Sequence, residues 1–433
     1  MTAVSPTLKK PSNLRWVSEL PATWQEQRLG SLLDEIDERG NDDLPVLSVS
    51  IHHGVSNRQL LDEEMDRVVQ RSEDKTKYKA VQPGDLVYNM MRAWQGGFGS
   101  VTVPGMISPA YVATRPKPGA EIDTRFLELM LRTPAAIEEL RCQSYGITDF
   151  RLRLYWENFR NIRVPLPPIE EQKAIVAFLD RETGRIDALV ERLERLIVLL
   201  TEKRQAVISH AVTKGLNPDA PMLDSGIDWL GEFPAHWQRK RLYTFARFVQ
   251  GKAHEPFFDA DGEYACATAR FVSTGGQTNR FSTRNITPAK PGDVLMVMSD
   301  LPNGRALARA YLVKSDDRIA INQRVCGITI QDGDPRYFAY QLNRHEELLR
   351  YNDGWNQTHL KNEYFTQLVL NVPHPSEQSQ IADFLDAELS EIGRLSENAA
   401  SMIEGAKERR SALISAAVTG QIPLADMTEE AAA

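Results

Sequence analysis

Cysteine is scarce in this sequence, with Cys142, Cys266 and Cys326 the only three in a chain of 433 residues. An odd, widely spaced set gives neither a disulfide framework nor metal-ligand spacing, so a reduced, cytoplasmic setting is expected. Long apolar runs are missing as well. No segment approaches the roughly 18 apolar residues of a membrane-spanning helix, and the opening Met-Thr-Ala-Val-Ser-Pro-Thr-Leu-Lys-Lys lacks an apolar signal core. Catalytic motifs are absent too. There is no Gly-x-x-x-x-Gly-Lys-[Ser/Thr] phosphate loop, and Gly96-Gly97-Phe98-Gly99 does not have the spacing of a dinucleotide-binding turn. The pair His52-His53 suggests a metal, but neighbours on a strand point to opposite faces. No catalytic residue and no metal ligand is predicted, and the chain is expected to catalyse nothing alone.

A basic surplus is also absent. The net charge is −8, yet residues 1–164 and 165–221 each sum to −1, residues 222–372 to +1, and residues 373–433 to −7. The acidity therefore lies at the end of the chain. The two large interiors are balanced, and their cations can still cluster on one face. Hydrophobic content of 42% and charged content of 25% are ordinary for a globular protein, and the length suits two to three domains.

What the chain does contain is a repeat. Glu171 to Thr213 aligns without a gap on Glu377 to Thr419, with 19 of 43 positions identical, too many for two unrelated helices to share by chance. The identities include Gln172/Gln378, Ile175/Ile381, Phe178/Phe384, Leu179/Leu385, Asp180/Asp386 and Arg204/Arg410. The opening Trp16-Val-Ser-Glu-Leu-Pro21-Ala-Thr-Trp24-Gln25 returns as Trp229-Leu-Gly-Glu-Phe-Pro234-Ala-His-Trp237-Gln238. Pro83-Gly84-Asp85 returns as Pro291-Gly292-Asp293, and Val164-Pro165 as Val372-Pro373. Internal repetition of this kind fixes architecture before any local reading does. It predicts two copies of one module with matching frames and divergent interiors, one scaffold presenting two recognition surfaces.

Each repeat reads as a long helix. Prolines 165, 167 and 168 stop the preceding strand, Glu170 and Glu171 suit a helix N-terminus, and Lys214-Gly215 followed by Pro218 is a stop. A heptad seam is read through Leu179, Glu182, Ile186, Leu189, Leu193, Leu196, Leu200, Lys203 and Val207 in the first arm, with polar interruptions at Glu182 and Lys203. In the second it passes through Leu385, Ile392, Leu395, Met402 and Leu413, with Ala399 and Ala406 where the first arm has leucines. Large side chains opposite small ones predict an intramolecular antiparallel coiled coil between the arms, closing a pseudo-twofold ring. The plainer reading is that each arm packs on its own domain.

The interiors predict α+β domains. Leu44 to Ile51, Leu86 to Met91 and Val294 to Met298 read as strands, and residues 125–140 and 335–349 as amphipathic helices. The predicted organisation is an N-terminal recognition domain (1–164), a first arm with linker (165–221), a second recognition domain (222–372) and a second arm with tail (373–433). Loops after two strands place Arg92, Trp94 and Gln95, and Ser299, Asn303 and Arg305, beside glycine. Arginine, glutamine and asparagine are the side chains that make two-pronged contacts with guanine and adenine. Arg58, Lys75 and Lys77 in the first interior, and Arg270 and Arg324 in the second, are candidates for the same surface. An isolated Arg or Lys is more often a solvated charge.

The ordered double set, Pro21/Trp24 with Pro234/Trp237, the two Pro-Gly-Asp turns, and Glu171-Gln172-x-x-Ile175-x-x-Phe178-Leu179-Asp180 with its copy at 377–386, closely resembles the specificity subunits of type I restriction-modification systems. The resemblance covers essentially the whole chain. It implies two target-recognition domains, each reading one half of a split double-stranded DNA site and held apart by the arms. It also implies docking of two methyltransferase subunits and of restriction-translocase subunits. S-adenosylmethionine, ATP and Mg²⁺ would be bound by those partners and no cofactor by this chain. A scaffolding adaptor that binds proteins rather than DNA is the alternative.

Overall fold

The computed structural model describes residues 8–40, 43–51, 54–56, 77–146, 152–277, 280–300, 305–314, 317–352 and 358–429. The chain divides into two compact units, Met1–Glu194 with Ser401–Ala433, and Arg195–Ala400. Both boundaries fall inside the long helices, Ile169–Lys214 and Pro375–Val418. Each unit therefore holds one domain, the first part of one arm and the last part of the other.

In the first unit, antiparallel strands Leu33–Ile36, Tyr111–Pro116, Leu86–Asn89 and Phe98–Ser100 lie side by side in that order. The second unit repeats the arrangement with Ala246–Gln250, Val325–Ile330, Val294–Val297 and Ala310–Leu312. Val294–Val297 is buried at every position and Leu86–Asn89 likewise, which explains the apolar runs Val294–Val297 and Leu86–Tyr88. The Pro-Gly-Asp turns precede these strands. Gly84 and Gly292 take φ of 91° and 85°, and the aspartates close the turns by accepting from the Gln82 and Lys290 N–H groups at 2.9 and 2.7 Å.

The second unit adds a three-stranded sheet, Phe281–Ser282, Tyr264–Ala267 and Ile319–Ile321, whose last pair is parallel. Leu44 to Ile51 supplies only a short strand, Ser48–Ser50, paired with Gly54–Ser56. The predicted helix 125–140 is two helices, Thr124–Leu131 and Pro134–Cys142, because Pro134 holds Thr133 extended and the Thr133 hydroxyl caps the second. The predicted helix 335–349 is broken into Pro335–Leu342 and Glu346–Leu349, with Arg344 between them at φ 58°.

The repeated signature residues join each domain to its arm. Trp24 Nε1 donates to Glu171 Oε1 at 2.8 Å, and Trp237 Nε1 to Glu377 Oε1 at 3.1 Å. Gln172 is wholly buried; its amide donates to the Pro167 and Glu121 carbonyls and accepts from the Asp123 N–H. Gln378 repeats two of these bonds, to the Pro373 carbonyl and from the Asp334 N–H. Asp123 and Asp334 in turn cap the helices that follow them. The repeated sequence is a set of joints.

Within the first unit, Ile175, Phe178 and Leu179 of the first arm share a core with Leu413, Ile414, Ala417 and Val418 of the second. Arg410 reaches Asp187 at 2.9 Å. Within the second unit, Leu200, Ile208, Ala211 and Val212 share a core with Ile381, Ala382, Leu385, Leu389 and Ile392. In both, the start of one arm meets the end of the other, the antiparallel pairing expected.

The seam is half right. Leu179, Leu193, Leu200 and Ile392 are buried, and Ile186 and Leu413 partly so. Leu189, Leu196, Leu395 and Met402 are instead 42%, 41%, 39% and 54% exposed, so they do not line it. The inward positions are Thr183, Val190 and Ile197 in the first arm, and Leu389, Ser396 and Ile403 in the second. From Leu179 a heptad can step by three or by four, and the chain steps by four. The hydroxyls at the inward polar sites are satisfied within their own helix, Thr183 on the Leu179 carbonyl and Ser396 on that of Ile392, at 2.6 and 3.0 Å. That makes them tolerable where Glu182 would not be. Gly393 and Gly405 face open space and do not serve a close helix contact.

Candidate nucleic-acid interface

The second unit carries a cleft of about 370 Å³ lined by Glu255, Thr268, Arg270, Arg280, Asn322, Gln323 and Arg324. Four segments build it, and one glycine brings two of them together. The chain leaving strand Ala246–Gln250 crosses directly over the Ile321–Asn322 backbone at Gly251, where a Cβ would lie 2.1 Å from the Asn322 carbonyl. Only glycine permits that crossing. It sets His254 and Glu255 beside Asn322 and Gln323.

His254 is fully buried, with Nδ1 on the Lys252 carbonyl at 2.8 Å and Nε2 accepting from the Ile286 N–H at 3.1 Å. Asn322, also buried, accepts from the His254 and Gln323 N–H groups and donates to Glu255 Oε1 at 3.2 Å. Gln323 Nε2 reaches the same oxygen at 3.2 Å. Partial burial opposes ionisation of Glu255, but its own N–H and these two amides outweigh that and hold the carboxyl below its ordinary range.

The walls are cationic. Arg270 and Arg324 are exposed, and neither guanidinium forms an ion pair or hydrogen bond among the described residues. Arg280 lies 5.6 Å from the Phe258 ring centroid and Arg284 5.2 Å from that of Phe257, stacking contacts that orient each guanidinium. The uncommitted guanidiniums of Arg270 and Arg324 beside a fixed acceptor suit phosphate neutralisation combined with base-edge contacts.

In the first unit the loop after Leu86–Asn89 is folded tightly on itself. Ala93–Gln95 form one 3₁₀ turn, Gly96 takes φ 86°, Asn89 Oδ1 accepts from the Met91 N–H, and Trp94 Nε1 donates to the Met91 carbonyl at 2.9 Å. Gln95 is exposed and Arg92 and Trp94 half-buried. A Cβ on Gly99 would fall 2.3 Å from the Val55 nitrogen, so this glycine serves strand packing rather than ligand approach.

The structure brings Arg270 and Arg324 together in one cleft and leaves Arg305 exposed outside its lining. Ser299 is corrected. It is 1% exposed in a strand paired with Thr358–His359, because continuation of the Val294–Val297 run carries it inward, and it cannot touch DNA. Lys77 is exposed, while Arg58, Lys75, Asn303 and the His52-His53 pair lie outside the described residues. Glu255, Asn322 and Gln323 went unread, since nothing in the sequence links positions so far apart. A larger hollow in the second unit, about 650 Å³, includes Trp229, His345, Tyr351 and Tyr364 in its lining. Burial lowers the His345 pKa to about 4, so this hollow carries no histidine cation at neutral pH. Among the described residues no cluster of His, Cys, Asp and Glu could hold a metal, and no helix is long and apolar enough to cross a membrane.

Two domains of one design, each joined to its arm through the same Trp–Glu and Gln joints, and a cation-walled cleft in one of them, define a duplicated recognition subunit. The family model for the type I restriction modification DNA specificity domain matches residues 24–197 and again 237–398, and the chain belongs to that family. It is similar to the type I restriction enzyme MjaVIII specificity subunit of Methanocaldococcus jannaschii, with 23% identity over 278 residues. That match spans 61% of this chain and 63% of the relative's length. In fold it is similar to a chain solved in work on complex assembly and conformational transition of the type I R-M system (TM-score 0.65, 17% identity, 93% of this chain and 99% of that one). It is also similar in fold to the HsdS subunit from Thermoanaerobacter tengcongensis (TM-score 0.56, 17% identity, 93% and 98%).

Proposed function

We propose that this chain is the DNA-reading, non-catalytic subunit of a type I restriction-modification complex, working in the cytoplasm. Each unit reads one half of an asymmetric, bipartite double-stranded site. The observation that carries the reading is the cleft of the second unit, where Arg270 and Arg324 stand uncommitted beside hydrogen-bonded amides. Frames that match around interiors that differ support two different half-sites rather than one palindrome.

Docking of two methyltransferase subunits, with restriction-translocase subunits beyond them, is supported by the arms. Leu189, Leu196 and Leu199 recur on the outward side of the first arm at 42%, 41% and 52% exposure, and Leu395 and Met402 are exposed on the second. Exposed leucines at helical spacing suit a partner helix better than water. S-adenosylmethionine, ATP and Mg²⁺ belong on those partners in this reading. The scaffolding alternative keeps the arms but gives the cleft no role.

Exchanging residues 30–160 for the equivalent region of a relative should change one half of the methylated sequence and leave the other unchanged. Change in both halves, or in neither, would refute independent reading. Arg92→Ala, Gln95→Ala and Arg305→Ala then sort the loop residues. Loss of a base contact relaxes one position by roughly 1–3 kcal/mol, whereas loss of a phosphate contact weakens all sequences alike.

A further inference from the structure

Glu255 is out of place in a cleft that faces polyanionic DNA. Arg270 and Arg324 line the same cavity, yet Glu255 forms no ion pair with either among the described residues. It is not there to neutralise them. The fold instead holds it ionised and fixed: buried Asn322, itself locked by the His254 and Gln323 N–H groups, donates to Oε1, and Gln323 Nε2 donates to the same oxygen. Both side-chain amides go to Oε1, which leaves Oε2 with no side-chain donor.

A rigid carboxylate with acceptor capacity to spare, placed where phosphate repels it, is useful only against a hydrogen-bond donor. Of the groups exposed in the major groove, cytosine N4 and adenine N6 are the donors. Adenine sets the acceptor N7 beside its amino group, which a lone carboxylate would repel. Cytosine has no acceptor on that edge, and its paired guanine offers O6 and N7 to a neighbouring guanidinium.

We propose that Glu255 is a specificity-determining residue through which the second unit reads the amino group of a cytosine in its half-site. The assignment rests on the DNA-reading function proposed above. The repulsion between Glu255 and phosphate also penalises wrong sequences, for which no amino group offsets it.

The test uses the full chain assembled with its methyltransferase subunits on a library of duplexes randomised across both half-sites, with methylated molecules sequenced. Glu255→Gln keeps the shape and Glu255→Ala removes the side chain. Both should lower the cytosine preference at one position of the second unit's half-site by about 5- to 150-fold, leave the other half-site unchanged, and bind sequences without that cytosine no more weakly than the unaltered complex does. Unchanged preference in both variants overturns the assignment. So does an equal loss on every sequence, or failure of both variants to assemble, since either would make Glu255 a structural residue. If the unaltered complex selects no bipartite sequence at all, the functional reading falls and this assignment with it. Unaltered selection of two half-sites, with no effect of the variants, removes Glu255 alone.

Discussion

Replacing Gln172 by alanine tests whether the repeated residues are joints. The buried amide makes three hydrogen bonds, to Pro167 and Glu121 carbonyls and from the Asp123 N–H, at 2.8, 3.0 and 2.8 Å. Alanine leaves all three groups without that partner. The Pro167 bond is buried and the other two are partly reached by solvent, so roughly 1–3 kcal/mol for the first and about 1 for each of the others gives a loss of about 3–5 kcal/mol. Gln378→Ala, with two bonds lost, should cost about 1 kcal/mol less. Urea unfolding followed by tryptophan fluorescence reports both, because Trp24 packs edge-on against Phe126 in the first unit and Trp237 is buried in the second. Losses within about 0.5 kcal/mol of zero, typical of surface changes, would refute the joint, and a larger loss at Gln378 would refute the bond count.

Changing Leu189, Leu196 and Leu199 together to glutamine should leave the unfolding midpoint within a few tenths of its value and weaken co-purification of methyltransferase subunits. Val190→Asp and Ile197→Asp, on the inward side, should instead destabilise by roughly 2 kcal/mol or more each. For His345, burial lowers the pKa from 6.5 to about 4, so the unfolded chain binds the extra proton between those values. Stability of the second unit should therefore be complete above about pH 6.5 and fall as pH drops toward 4. The upper bound is roughly 3 kcal/mol, reduced because the ring is only half-buried. His345→Asn should flatten that slope in acid unfolding curves, and an unchanged slope would refute the assignment.

The frame was legible because its residues act locally or in pairs that the repeat marks twice. Trp24 and Glu171 lie 147 positions apart, yet both recur in the copy as Trp237 and Glu377, and recurrence flagged them before any contact was known. The arms were legible as helices, but their inward phase was not. Apolar residues stand at adjacent positions, Leu189 beside Val190 and Leu196 beside Ile197, and only the packing decides which pair turns inward. The cleft was hidden for another reason. Glu255 and Asn322 meet through a backbone crossing at Gly251, and no periodicity records such a crossing. Ser299 misled because a serine after an apolar strand reads as a loop, while the strand's inward direction carries through it.

The central claim is that this chain chooses a split DNA sequence for its partners. Sequencing of methylated adenines in the host genome, with the gene intact and deleted, measures that choice directly. The account predicts one asymmetric motif of two defined halves around an unspecified spacer, present with the gene and lost without it. A methylation pattern that does not depend on the gene, or a motif that is continuous or palindromic, would contradict it.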